Sequence, residues 1–316
     1  MKKILITGVT GFLGSRLNEL LSERAFDVTG TSRNADKQNS KIFPTGEIDS
    51  FDNWQSILAD RECVVHAAGR AHILNDDAEK AADEFQRVNC EATLTLAEAA
   101  YTAGVEHFIF ISSIGVNGDG NNGPDAPFSE NSVPQPGSLY AISKYNAEKQ
   151  LIKKYHKSSM NITIIRPTLI CGPGAPGNIR RLLKLVYSGV PLPFKSITNT
   201  RSMASLDNVC DFVIHCIEHS EARGEIYLLS DQDELSITEI VAELAKGMNK
   251  SANMFSLPAS VCKLFFSLVG KKRIYDQLFG SISVDSRKCR MTGWQPVTNL
   301  RETLYKTGQA FRKEKM

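Results

Sequence analysis

The stretch Ile4-Leu5-Ile6-Thr7-Gly8-Val9-Thr10-Gly11-Phe12-Leu13-Gly14 decides how the rest of this 316-residue chain is read. A short branched apolar run is followed at once by three glycines spaced three apart, then by Leu17, Leu20 and Leu21 at helical spacing. The order is strand, tight turn, helix. Gly8 permits the turn, Gly11 lets a pyrophosphate approach the backbone, and Gly14 lets the helix pack closely on the strand. The first N–H groups of such a helix have no partner within it and carry a partial positive charge. The loop from Gly8 through Thr10, Gly11, Phe12 and Leu13 to Gly14 is therefore a candidate cradle for a dinucleotide.

Working outward, further apolar runs occupy Asp27–Thr31, Cys63–Ala67, His107–Ser112 and Ile162–Ile165. Most lack period-two alternation, as expected of parallel strands covered on both faces. Between two of them Phe85, Val88, Ala92, Leu96 and Ala99 recur at helical spacing, with Gly104 placed to end the helix. Strands alternating with helices predict an α/β fold with a Rossmann-type doubly wound parallel sheet. After Arg166-Pro167 the rhythm stops, with Gly172, Pro173, Gly174, Pro176 and Gly177 clustered in one loop. This divides the chain into a dinucleotide-binding domain over 1–167, to which 201–222 returns, and a smaller C-terminal substrate-binding lobe from 168–200 and 223–316.

Composition sets the outer bounds. The chain is 42% hydrophobic and 23% charged with a formal charge of +2, a globular profile. Lys and Arg are scattered, so no broad basic surface for nucleic acid is expected; Arg312, Lys313 and Lys315 read as a frayed, solvated end. Seven cysteines, without a CxxC pair and odd in number, read as reduced thiols of a cytoplasmic protein. No run approaches the roughly 20 apolar residues of a membrane span; Val261–Val269 is short and contains Lys263, which suits a core or ligand-covering helix. His215 and His219 stand one helical turn apart without a third ligand, so no metal is expected.

Two further signals carry chemistry. At the end of the second strand, where an acid would bind the ribose of NAD, stand Ser32 and Arg33. These could hold a 2′-phosphate, which favours NADP(H) and leaves NAD(H) open. Tyr140 and Lys144, four apart, share a helix face, and an adjacent ammonium stabilises a phenolate. Ile111-Ser112-Ser113 ends a strand nearby in the order of the fold.

With these motifs the chain resembles the extended short-chain dehydrogenase/reductase family, in its epimerase, dehydratase and ketoreductase branch. The resemblance runs through TGVTGFLG, the GEID turn, HAAGRAH, the Asn89 helix, ISSIGVNG, YAISK, IRPTLICGPG, RSMASLDNV and TGWQP. It implies that Ser113, not Ser112, holds the reacting oxygen, that Tyr140 moves the proton, and that Lys144 binds the nicotinamide ribose and tunes Tyr140. It sets Glu47 and Ile48 beside the adenine, Ala67, Ala68 and Gly69 along the pyrophosphate and ribose, Pro167 on the cofactor side, and Asn89 in a structural or cofactor-side position. Asn178 and Arg201 match residues that meet the diphosphate or base of a nucleotide sugar, and the resemblance implies a UDP-linked substrate. Departures fall on the substrate side: Ser202 and Met203 replace aromatics, and Asn117 and Cys171 replace tyrosines.

The same resemblance narrows the reaction. Ile114 and Gly115 follow Ser113 where dehydratases and decarboxylases carry acids. A 4-ketoreductase of UDP-4-keto-6-deoxy-N-acetylhexosamines, as in bacterial O-antigen biosynthesis, is the favoured expectation. A UDP-sugar 4-epimerase with retained NAD is the alternative, and a non-catalytic NAD(P)-sensing protein a third. Family members often form homodimers through the helices holding Asn89–Ala103 and Tyr140–Tyr155.

Overall fold

The branched apolar runs become parallel strands: β1 Lys3–Thr7, β2 Asp27–Ser32, β3 Ile42–Pro44, β4 Cys63–His66, β5 His107–Ile111 and β6 Asn161–Pro167. The computed structural model describes residues 2–34, 41–71, 78–121, 123–258, 261–263, 267, 275 and 278–316. Most of Val261–Val269, read above as a core or covering helix, therefore lies outside the described residues. Two short strands, β7 Leu169–Cys171 and β8 Arg201–Ser205, precede β9 Ile226–Leu229 and β10 Glu234–Leu235. The main sheet runs β3-β2-β1-β4-β5-β6-β9, parallel throughout.

Continuous hydrophobicity in these strands reflects two covered faces. Ile4, Ile6, Val65, Ile109, Ile111 and Ile165 point to one side, against Leu17 and Leu21 of α1 (Phe12–Glu23) and Val209, Phe212 and Val213 of α7 (Leu206–Glu218). Leu5, Val64, Phe108, Phe110, Ile162 and Ile164 point to the other. There they meet α2 (Trp54–Leu58), α4 (Ala92–Thr102) and α5 (Leu139–Tyr155). α3 (Ala78–Gln86) joins α4 through a π-helical turn, Arg87–Glu91, where a single uninterrupted helix was expected. Gly104 does close α4, with φ +81° and its N–H donating to the Tyr101 carbonyl at 3.0 Å.

The lobe is built on a three-stranded sheet, β10-β8-β7, with α6 (Gly177–Ser188), α8 (Ile237–Gly247) and α10 (Leu300–Lys315), after the short α9 (Arg287–Met291). Ser236 and Glu239 form a reciprocal capping box at the start of α8. Two glycines bring α8 against α10: a Cβ on Gly247 would stand 2.0 Å from the Tyr305 oxygen, and one on Gly308 2.2 Å from that of Leu244. Phe12 packs against the cores of both sheet and lobe.

Three expectations change. Strand β9 joins the main sheet although 223–316 was read as lobe; four residues isolated from any βα repeat carry too little periodicity to reveal it. Within 201–222 it is α7 that covers the main sheet, whereas β8 pairs with β7 and β10. Arg312, Lys313 and Lys315 lie in the last turn of α10, not on a frayed end, because buried Phe311 holds that turn and cations suit a helix C-terminus. All seven cysteines are free and buried. Among the described residues no helix is long and apolar enough to cross a membrane, and no group of three or more His, Cys, Asp or Glu could hold a metal.

Candidate active site

Strand order reverses between β1 and β4, and in open α/β sheets ligands settle at the carboxyl ends of the strands beside such a switch point. Here those ends deliver Gly8 from β1, Ala67 from β4 and Ser112-Ser113 from β5. Gly8 has φ +71°, and a Cβ there would meet Ala68 Cα at 2.9 Å, so the two loops touch through backbone alone. A Cβ on Gly14 would lie 2.2 Å from the Gly8 oxygen. Gly11 caps α1 without a side-chain bond, and the helix has no acid in its first turn. The cradle thus offers backbone N–H groups and no opposing charge, which fits a pyrophosphate.

A chain of buried polar groups holds the second loop. Thr7 Oγ1 pairs with His66 Nδ1 at 2.6 Å, His66 Nε2 with Thr93 Oγ1 at 2.9 Å, and Thr93 donates to the Asn89 carbonyl at 2.8 Å. Burial pushes His66 down to about 3, so the ring is neutral at physiological pH. Asn89, in the π-helical turn, accepts from the Arg70 N–H at 2.8 Å and donates to the Arg70 oxygen at 3.0 Å and to Ser143 at 3.1 Å. Its carboxamide thus splints the Ala67–Arg70 loop through both its oxygen and its nitrogen. The extra residue of a π turn is what aims this side chain at the loop.

α5 starts at Ser138, whose hydroxyl accepts from the Ala141 N–H at 3.2 Å. One turn in, Tyr140 remains partly exposed, with Ser113 beside its phenol. Burial of its hydroxyl raises the phenol to about 12, and the neighbouring Ser113 works against that rise. Ser113 also accepts from the Gly115 N–H at 3.1 Å. Lys144 is buried, donates to the Ile111 carbonyl at 2.9 Å and lies 4.5 Å above the Phe110 ring. Its Nζ stands 3.3 Å from where a Gly69 Cβ would be, which brings α5 against the Ala67–Arg70 loop. Burial brings its ammonium down to about 8, with Glu148 opposing.

Ser112 faces the other way. Its hydroxyl donates to Glu148, which takes Arg166 Nε at 3.0 Å and Nη2 at 2.5 Å, while Arg166 Nη1 donates to Asn117 Oδ1 at 2.9 Å. All four side chains are buried. Sequence reasoning passed over Glu148 and Arg166; the signal was present in the spacing of Tyr140, Lys144 and Glu148, three residues four apart on one helix face. Asn117, where the family has tyrosine, is thereby tied to the core.

The adenine side is more open. Ser32 donates to the Asn34 carbonyl at 2.5 Å, and Arg33 Nε lies 3.7 Å from Glu47 Oε2, both side chains more than half exposed. Ile48 packs on the sheet core, and Pro167 is buried at the end of β6. On the lobe, Asn178 is exposed at the start of α6, and Arg201 donates to the Gly280 carbonyl at 3.0 Å. Among the described residues neither hydrogen-bonds to Ser113, Tyr140 or Lys144. His215 and His219 stack at 4.2 Å, with His215 bonded to the Thr292 oxygen, an interhelical packing arrangement.

Residues 4–230 match the model of the NAD dependent epimerase/dehydratase family. The chain belongs to that family. A UDP-glucose 4-epimerase from Vibrio cholerae is 39% identical over 314 residues, 98% of this chain and 95% of that protein. An N-acetyl-alpha-D-glucosaminyl-diphospho-ditrans,octacis-undecaprenol 4-epimerase from Escherichia coli O157:H7 is 31% identical over 261 residues, 81% of this chain and 75% of that one. Among solved structures, MoeE5 in complex with UDP-glucuronic acid and NAD matches with a TM-score of 0.80 at 24% identity, covering 99% of each chain. That similarity speaks for the fold of this family member alone.

Proposed function

We propose that this family member is an NAD(P)-dependent enzyme working at C4 of a UDP-linked sugar, and that it interconverts C4 epimers. The observation that carries the reading is Tyr140 one helical turn from Lys144 on α5, with Ser113 beside the phenol and Lys144 against the Gly69 loop. A bound nicotinamide would accept and return a hydride. Tyr140 takes the proton of the C4 hydroxyl as hydride departs and gives it back when hydride returns. Ser113 orients that oxygen, and Lys144 favours the phenolate and holds the ribose. Asn178 and Arg201 are assigned to the diphosphate side. The Vibrio cholerae relative, similar over nearly the full chain, supports epimerisation over simple reduction. The protein is assigned to the cytoplasm.

Reduction of a UDP-4-keto-6-deoxy-N-acetylhexosamine by NADPH is the second reading, favoured by Ser32 and Arg33 where an acid would repel a 2′-phosphate. Glu47 weighs against it, because a 2′-phosphate would have to displace that carboxylate from Arg33. The test is incubation with UDP-glucose, UDP-N-acetylglucosamine and UDP-4-keto sugars, with NAD or NADPH, and NMR of the products. Epimeric product without net cofactor consumption is expected. Stoichiometric NADPH oxidation on the keto sugar alone would assign the reductase, with Arg33→Ala then cutting NADPH affinity by ~1.5–3 kcal/mol. Cofactor binding without turnover of any sugar would leave a sensing protein.

A further inference from the structure

Residues 281–285 lie between the lobe and the chain that follows Ser113. Past the Ile114–Val116 turn, the Asn121 N–H donates to the Ser281 carbonyl at 3.0 Å and the Phe128 N–H to the Ser283 carbonyl at 2.9 Å. The Asp285 N–H returns to the Phe128 carbonyl at 2.9 Å. The Asn121 side chain clasps one residue from both sides of its peptide frame. Its Nδ2 donates to the Ser283 carbonyl at 2.7 Å, and its Oδ1 accepts the Ser283 N–H at 3.0 Å and the Gly123 N–H at 3.0 Å. Ile282, between these residues, bonds the other way, to the lobe. Its N–H donates to the Thr200 carbonyl at 2.8 Å, and its carbonyl accepts the Ser202 N–H at 2.7 Å. Glu234 of β10 secures that edge. Its Oε1 accepts the Ser202 hydroxyl at 2.7 Å and the Ser283 hydroxyl at 2.5 Å, while the Ser202 oxygen accepts the Val284 N–H at 2.9 Å. Ser202 and Ser283 are both buried. Apolar side chains follow the same route: Ile114, the residue after Ser113, shares a small core with Phe128, Ile282 and Val284.

We propose that Asn121 is a positioning residue, which clasps Ser283 and so holds the Ser113 turn in register with the lobe. The inference rests on the C4 reading, in which one sugar nucleotide meets Arg201 through its diphosphate and Ser113 and Tyr140 through its C4 oxygen. Residues 280–285 are tied to both places: Arg201 donates to the Gly280 carbonyl at 3.0 Å, and Val284 packs in the core of Ile114. The separation between the two anchors of the substrate is therefore set through this segment. Asn121 acts on that separation and not on the sugar. Two bonds to one residue fix direction as well as distance, and a misplacement of about 1 Å at the reacting atoms costs on the order of 10²-fold in rate.

The test is Asn121→Ala in the full chain, followed by hydrogen exchange and by turnover. The Val116 and Asn117 N–H groups close the turn on the Ser113 and Ile114 carbonyls, and their exchange should quicken whichever reaction the protein catalyses. On the UDP-linked sugar that the parent converts, kcat should fall by roughly 10–10²-fold. Circular dichroism and the Kd values for UDP and for NAD should match the parent, which a general loss of structure would not allow. Glu234→Ala releases Ser283 from the lobe and should lower kcat in the same way, whereas Glu234→Gln keeps an accepting oxygen for both serines and should recover most of the loss. Because both side chains act through Ser283, the double variant Asn121→Ala, Glu234→Ala should lose no more than the worse single one. Unchanged exchange at the turn, a parent-like kcat in Asn121→Ala, a kcat loss matched by equal losses of UDP and NAD affinity, or additive losses in the double variant would overturn the proposal. A parent that turned over no UDP-linked sugar would sink the C4 reading, and exchange at the turn would still decide whether Asn121 holds it.

Discussion

Lys144 is held under opposing demands. Its ordinary value of 10.5 falls to about 8 because the side chain is buried, while Glu148 one turn later favours the charge. A folded-state value below the unfolded one means that the unfolded chain binds more protons between about pH 8 and 10.5. The burden on stability is therefore full below pH 8, shrinks as pH rises through that window, and is gone above it. Its size is on the order of 3 kcal/mol. Lys144→Met should raise the melting temperature near neutral pH, with the gain vanishing in melts above about pH 10.5, and it should abolish turnover and weaken cofactor binding. Tyr140→Phe should leave folding and cofactor binding intact while turnover falls by roughly 10²–10⁴. Ser113→Ala should lose less, because it removes an orienting bond and not the proton. Near-normal turnover by Tyr140→Phe would refute the assignment.

Among the elements, α5 does two jobs with one face. Tyr140 and Lys144 reach the cleft, and Glu148 anchors the same helix through the buried Arg166 pair. Glu148→Ala leaves Arg166 buried without its partner, at a cost of about 3–5 kcal/mol. Denaturant melts should register that loss, and turnover should drop as Ser112, the neighbour of Ser113, loses its acceptor. The α8–α10 contact is tested separately. Gly308→Ala places a methyl against the Leu244 carbonyl and should destabilise the protein by about 1–3 kcal/mol while leaving cofactor affinity unchanged in a titration. The functional glycines were readable because Gly8, Gly11 and Gly14 follow a strand and open a helix. Gly308 was not, since a glycine inside a helical pattern reveals its purpose only when the facing helix is known.

For the whole molecule, burial of His66 and His107 sets a limit on acid tolerance. Both are pushed from 6.5 down to about 3. Between those values the unfolded chain binds the protons that the native state refuses, so stability falls as pH drops below about 6.5. Melts from pH 7 to pH 4 should show this decline, and His107→Asn should flatten it; an equally steep decline in that variant would refute the assignment. A homodimer through α4 and α5 remains our proposal. Tyr101, Ile142 and Ile152 are 43%, 41% and 40% exposed on those helices, apolar surface that a second copy would cover. Light scattering should give twice the mass of one 34.9 kDa chain, and Ile142→Glu with Ile152→Glu should give the monomer.

The sequence by itself determined the parallel sheet, the glycine cradle and the pairing of Tyr140 with Lys144, because each is a short-range pattern. Strand period, turn chemistry and one helical turn act over a handful of residues, so the chain displays them directly. Tertiary structure alone decided that β9 joins the main sheet, that Asn89 splints a loop and that Glu148 meets Arg166. Each of these joins residues remote in the chain or depends on a local break in helical geometry. No periodicity encodes them, and packing of the completed layers is what brings their atoms within reach.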